Sequence, residues 1–194
     1  ELLRITHHGF QDDSVVAIKE FLNFHNIPFS PSELLNYEMT NPLFLTLFCK
    51  TYNGEELNLF QMFERFITLI DEEIQKALGI PDSGKILKKL LLEIAECQLS
   101  NSNNYLVEED LFQMKFWSYY GIQNKSYFLS FLLKSGLMIS NVRQDKEVYS
   151  FGYNLLEDYL KAQKIMELPF NKKELESYLE KELLKIENGE IQNN

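Results

Sequence analysis

Residues 137–153 read LMISNV, then RQDK, then EVYSFGY, and this stretch decides the fold. Two short runs rich in apolar, β-branched and aromatic residues flank a polar turn. Tyr149 and Phe151 alternate with Ser150 and Gly152, the period of two that a β-hairpin needs. Working back from it, residues 124–135 carry helical spacing and stop at Gly136. A helix over 107–118 turns at Gly121, and the polar run SNSNN separates it from a helix over 85–99. Working forward, a helix resumes at about Asn154 and runs to Glu167. Three helices followed by a hairpin is the order of a winged helix.

Upstream the rhythm differs. Residues 1–10 read as a short strand running into a turn at Gly9, and Asp12 and Asp13 offer a cap for a helix that ends near Asn26, before Pro28. Ser30-Pro31 and Asn41-Pro42 each pair a cap with proline at the first helical position. The second pair opens a helix that is apolar nearly all round, Leu43 to Phe48, which predicts burial. A long amphipathic helix follows from about Asn58 to Leu78. It turns Leu59, Phe60, Phe63, Phe66, Ile67 and Ile70 inward and Glu64, Asp71, Glu72 and Glu73 outward. Gly79 to Gly84 is the clearest linker. The predicted fold is therefore mainly α: a helical bundle over 1–79, a winged-helix domain with a short β-hairpin over 80–168, and a C-terminal helix and tail over 169–194. In that tail Leu175, Tyr178, Leu179, Leu183 and Ile186 form an apolar stripe that needs a partner.

Composition narrows the function classes. Eight glycines and five prolines in 194 residues favour helices over a turn-rich β fold. The longest apolar runs are far short of a membrane span, no export signal is legible, and two cysteines in unrelated contexts make no disulfide framework or zinc box. These features predict a cytoplasmic chain with no membrane partner. The opening in mid-pattern at Glu1, Leu2 and Leu3 reads as a module of a longer polypeptide. Acidic residues outnumber basic ones 29 to 19, for a net charge of −10. Nucleic-acid binders cluster Lys and Arg against phosphate. Here the arginines are Arg4, Arg65 and Arg143, and the recognition helix of the winged unit, NKSYFLSFLLKSG, carries only Lys125 and Lys134. The expected partners exclude nucleic acid.

No set of residues within the chain makes a complete active site, so the chain is not expected to be an enzyme by itself. Gly79, Gly84 and Lys85 fit the start of a phosphate-binding loop, but Ile86 stands where the Mg²⁺-binding hydroxyl belongs, and a helix rather than a strand precedes it. His7, His8 and His25 match no metal-ligand spacing. The acidic runs at 71–73, 108–110 and 157–158 read as helix faces or caps, with no nucleophile beside them.

Two stretches carry a resemblance. NPLFLTLFCKTYNG (41–54) with LNLFQMFERFITLI (57–70) resembles the first helical domain after the nucleotide-binding core of NACHT-type STAND ATPases. LLEIAECQL (91–99), FLLKSGLMIS (131–140) and VYSFGYNLLEDYLKA (148–162) resemble the winged-helix domain that follows it. The segment THHGFQDDSVVAIKEFLNFHNIPF (6–29) is similar to the exit from that core, as in bacterial antiviral members. The resemblance implies a regulatory nucleotide-state switch that acts in antiviral defence signalling, with ATP or ADP held in the full-length parent and none bound tightly by this part. It implies the parent's nucleotide-binding core and sensor region as partners, and homo-oligomers on activation. Pro42 takes the position that packs on adenine. Tyr153 stands where the family commonly has a histidine at the ADP phosphates, and a phenol cannot become cationic near neutral pH. Asp158 and Tyr159 fall on an acidic–aromatic pair that anchors the last helix. The alternative, from another class, is a standalone protein-interaction adaptor whose winged helix does not bind DNA.

Overall fold

The computed structural model describes residues 14–28, 37–54, 58–80, 84–101 and 103–167, with 173, 176 and 177. The strand expected over 1–10, His7, His8, the Asp12–Asp13 cap, most of the helix expected at Ser30-Pro31 and most of the tail lie outside them.

Local signals start and stop the first three helices. Helix α1 (Ser14–Phe24) buries Ile18 and Leu22, one turn apart. It ends where Asn26 takes a left-handed φ of 56° and the Ile27 N–H donates to the Leu22 carbonyl at 2.9 Å, closing the helix below Pro28. A 3-10 turn at Tyr37–Thr40 leads into α2 (Pro42–Thr51). The Asn41 side chain accepts from the Phe44 N–H at 3.3 Å, so cap and proline act as the sequence indicates. Helix α3 (Leu59–Leu78) opens with a reciprocal capping box between Asn58 and Gln61 and closes on Gly79 at φ 63°.

Two inward–outward expectations for α3 are corrected. Phe60 is 57% exposed rather than buried, and Met62 takes a core position. Asp71 is only 4% exposed rather than on the outer face. Its carboxylate accepts from the Leu87 N–H at 2.8 Å and from the Gln75 side chain at 3.0 Å. Leu87 lies in the first turn of α4 (Ile86–Asn101), so Asp71 caps a neighbouring helix. An anion at that end is favoured by the helix dipole.

After α4 come β1 (Leu106–Val107), α5 (Glu108–Gln113), α6 (Lys115–Tyr119), α7 (Lys125–Ser135), β2 (Met138–Arg143), β3 (Lys146–Phe151) and α8 (Asn154–Glu167). The hairpin registers Met138 with Phe151 and Arg143 with Lys146, and β1 adds to its other side, giving the antiparallel order β1-β3-β2. Helices α4 to α7 with this small sheet make a winged-helix arrangement, and α8 packs back on α4.

The single helix expected over 107–118 is divided at Met114, whose ψ of 144° is not helical. Glu93 on α4 causes the restart. Its two carboxylate oxygens accept the Lys115 and Phe116 N–H groups at 2.8 and 3.1 Å, satisfying donors that a helix start leaves open. Trp117 then donates its indole N–H to the Leu111 carbonyl at 2.7 Å.

The two ends of the hairpin meet backbone to backbone. Gly152 N–H donates to the Leu137 carbonyl at 2.9 Å, and a Cβ on Gly152 would stand 2.0 Å from the Gly136 carbonyl oxygen. One buried cluster runs from Ile18 and Leu22 through Phe63 and Ile67 to Leu87, Phe128 and Leu160.

Candidate functional site

The site residues taken from the resemblance, Pro42 and Tyr153, lie at the starts of α2 and α8. Pro42 is half-buried at the first position of α2, and its carbonyl accepts from the Thr46 hydroxyl at 2.8 Å. Tyr153 is half-buried where the chain leaves Gly152 for α8. Its carbonyl accepts the Leu156 and Glu157 N–H groups, both at 3.1 Å.

The Tyr153 ring meets Phe44 of α2, with centroids 6.0 Å apart, and Phe63 of α3 at 5.8 Å in an edge-on arrangement. Such pairs contribute about 0.5–1.5 kcal/mol each beyond the area they bury. Pro42 lies about 200° round the helix from Phe44, since two residues span just over half a turn. It is therefore Phe44, not Pro42, that this fold seats on Tyr153. Beside these rings is a cleft of about 20 Å³ between Phe44, Leu47 and Phe63 on one side and Gly136, Leu137 and Tyr153 on the other. That volume is on the scale of one water molecule.

A second contact lies six residues further on, within α8. The Tyr159 ring stacks on Phe60 at 5.3 Å and meets Phe63 at 5.7 Å, and its hydroxyl donates to Glu64 at 2.6 Å. This explains why Phe60 stays at the surface. Glu64 also accepts from Lys88 at 2.5 Å and Lys85 at 3.0 Å. Burial alone raises the carboxyl's pKa, but the hydrogen bonds from Lys88, Tyr159 and Lys85 outweigh it and hold Glu64 down at about 2. Burial and the neighbouring Glu64 push the Tyr159 phenol well above its usual range.

Of the acidic–aromatic pair expected to anchor the last helix, Tyr159 makes these contacts and Asp158 is exposed. Glu157 is the buried acid, paired with Lys161. Sequence reasoning missed Glu64 and Lys88 altogether. The apolar spacing of α3 put Glu64 on the solvent side, and nothing local signalled three donors arriving from residues 21 to 95 positions away.

No known family, curated protein or solved structure matches this chain.

The remaining candidates have structural settings. Lys85 of the loop resembling a phosphate cradle pairs with Glu64, and Gly79 of that loop is the C-cap of α3. His25 is exposed and lies against Phe21 and Phe24. Among the described residues no three His, Cys, Asp or Glu side chains are grouped to hold a metal ion. Cys49 is buried, Cys97 is half-buried, and neither is in a disulfide. No described helix is long and apolar enough to cross a membrane.

On the face where a DNA-binding winged helix would present cations, two are already engaged. Lys125 donates to the Phe112 carbonyl at 2.6 Å, and the Arg143 guanidinium lies 4.6 Å from the centre of the Tyr105 ring. Glu108, Glu109 and Asp110 stand exposed in the first turn of α5.

Proposed function

We propose that this chain is the helical and winged-helix regulatory region of a NACHT-type STAND ATPase, cytoplasmic and acting in defence signalling, in which ADP favours a closed arrangement and exchange for ATP releases it. One observation carries the reading. The two motifs of the resemblance lie over a hundred residues apart in sequence and yet face each other, Phe44 of NPLFLTLF and Phe63 of the following helix against Tyr153 of FGYNLLEDY. A regulatory seam between a helical unit and a winged helix needs such a contact.

In this reading the hydrolytic groups belong to a nucleotide-binding core elsewhere in the parent polypeptide, and this part is the moving arm. A ligand changes such an equilibrium only by contacts that differ between the two states. Pro42, half-buried at the start of α2, is the residue assigned to adenine. Tyr153 packs its ring against Phe44 and Phe63, which favours a packing role over a phosphate contact.

Acid extraction of the purified parent polypeptide, followed by chromatography, should release bound adenine nucleotide. A nucleotide-free parent with no phosphate-binding loop upstream of residue 1 refutes the reading. Within the parent, Pro42→Ala should weaken ADP and ATP alike by about 1 kcal/mol, through a lost apolar contact and helix-start restraint. Tyr153→Phe keeps both ring contacts and should leave ADP release unchanged. Faster release from Tyr153→Phe would return the hydroxyl to the nucleotide site.

A further inference from the structure

We propose that Glu64 is the junction that fixes how the α4–α8 unit is oriented on α3, with Tyr159 as its positioning partner. The inference needs no nucleotide and stands or falls apart from the reading above.

Helix α3 ends on Gly79 and α4 is preceded by Gly84, both at left-handed φ, and the Gln75 side chain donates to the Gly84 carbonyl at 3.2 Å. Asp71 bonds the first turn of α4 at Leu87, so with the Gln75 bond the same end of α4 is pinned to α3 as one point. One pinned point leaves rotation about it open. Glu64 lies seven residues earlier on the same helix, about 10 Å along its axis, and it supplies a second point. Its Oε1 accepts from Tyr159 on α8 and Lys88 on α4, and its Oε2 from Lys85 just before α4. The donors thus come from both sides of the α4–α8 pair, and Gln163 donates in turn to the Tyr159 hydroxyl at 2.5 Å.

The apolar part of the seam cannot do this alone. The apolar seam is continuous from Phe63 and Ile67 to Leu87 and holds the units together, but burial itself is non-directional, and a small cleft is left beside the rings of Phe44, Phe63 and Tyr153. Charge-assisted hydrogen bonds are directional and short, so the angle between the units is set at Glu64.

The test uses the full 194-residue chain in a Cys49→Ala/Cys97→Ala background, with spin labels placed by Glu73→Cys on α3 and Glu109→Cys on α5. A second pair, Ser118→Cys and Asp145→Cys, reports distances within the winged unit. All four positions are exposed. Glu64→Ala and Tyr159→Phe should broaden the α3-to-α5 distance distribution or move its mean by about 2 Å or more, the size of a helix shift at an interface. The Ser118–Asp145 distance should not change. Glu64→Gln, which keeps an acceptor for the Tyr159 hydroxyl, should fall between wild type and Glu64→Ala. An unchanged α3-to-α5 distribution in Tyr159→Phe overturns the proposal. So does a change in both label pairs together, which would mean that these side chains hold the whole fold rather than one angle. Tyr159→Phe removes a single oxygen and carries the test if Glu64→Ala does not fold.

Discussion

Replacing Asp71 by alanine should cost this chain more than truncating any other polar side chain of α3 to alanine. The carboxylate is 4% exposed, accepts from the buried Leu87 N–H at 2.8 Å and from Gln75 at 3.0 Å, and stands at the positive end of α4. Its loss strands a buried helix-start donor. Hydrogen bonds to charged groups contribute about 1.5–3 kcal/mol, and a charge complementing a helix terminus adds up to about 1 kcal/mol. The expected loss is about 2–4 kcal/mol. For a chain of this size each kcal/mol moves Tm by roughly 2–4 °C, so Asp71→Ala should melt around 10 °C lower. Asp71→Asn keeps an oxygen facing Leu87 and gives up the charge, and should lose about half as much. Urea denaturation monitored through Trp117, which lies in the winged unit that α4 opens, measures both. A cost below about 0.5 kcal/mol for Asp71→Ala, the range of ordinary surface changes, would refute the assignment of Asp71 as the cap of α4.

Glu64 has a folded pKa below its ordinary value, so its contribution is complete above about pH 4.5 and is lost as pH falls through about 2. The full shift corresponds to about 3 kcal/mol. Solvent screening at its partly exposed lysine partners brings the expected contribution to about 1–2 kcal/mol. The stability gap between wild type and Glu64→Gln in urea should therefore narrow from pH 5 towards pH 2, and a gap independent of pH would contradict it. Gly152→Ala drives a methyl group into the Gly136 carbonyl and should destabilise by about 3 kcal/mol; a near-neutral melting curve would show that the hairpin ends can separate freely. Duplex DNA should show no measurable affinity at physiological salt. A gel shift that weakens steeply with added salt would overturn the packing role given to the winged helix.

What could be read from sequence was local. Asn41-Pro42, the Asn58 start, the Gly79 stop and the RQDK turn each place cap or turn chemistry within a few residues of the bonds it makes, and each stands where its residues indicate. The misreadings were tertiary. Met114 breaks the helix because Glu93, over twenty residues earlier, captures the next two N–H groups. Asp71 looked solvent-facing because it opens an acidic run on an amphipathic helix, and only the position of α4 shows why it is buried. Phe60 looked internal because its spacing suits the core, yet its partner Tyr159 lies outside that core. At the candidate site, Pro42 and Tyr153 came from motif resemblance, whereas the approach of Phe44 and Phe63 to Tyr153 requires the chain to fold back through four further helices.

The meeting of Gly136 and Gly152 closes the base of the wing backbone to backbone, and β1 holds β3 again at Val148 and Tyr149. Whatever happens along the wing's two strands returns to the same place, so the chain reaches Tyr153 from a point already fixed at the end of α7. The tip, Gln144 and Asp145 at φ 50° and 61°, is exposed and separated from that base by the full length of the ladder. Sequence there is insulated from the seam. A short epitope or a fluorophore-binding tag spliced between Gln144 and Asp145 would ride on the protein as a handle, reporting its movements without setting them.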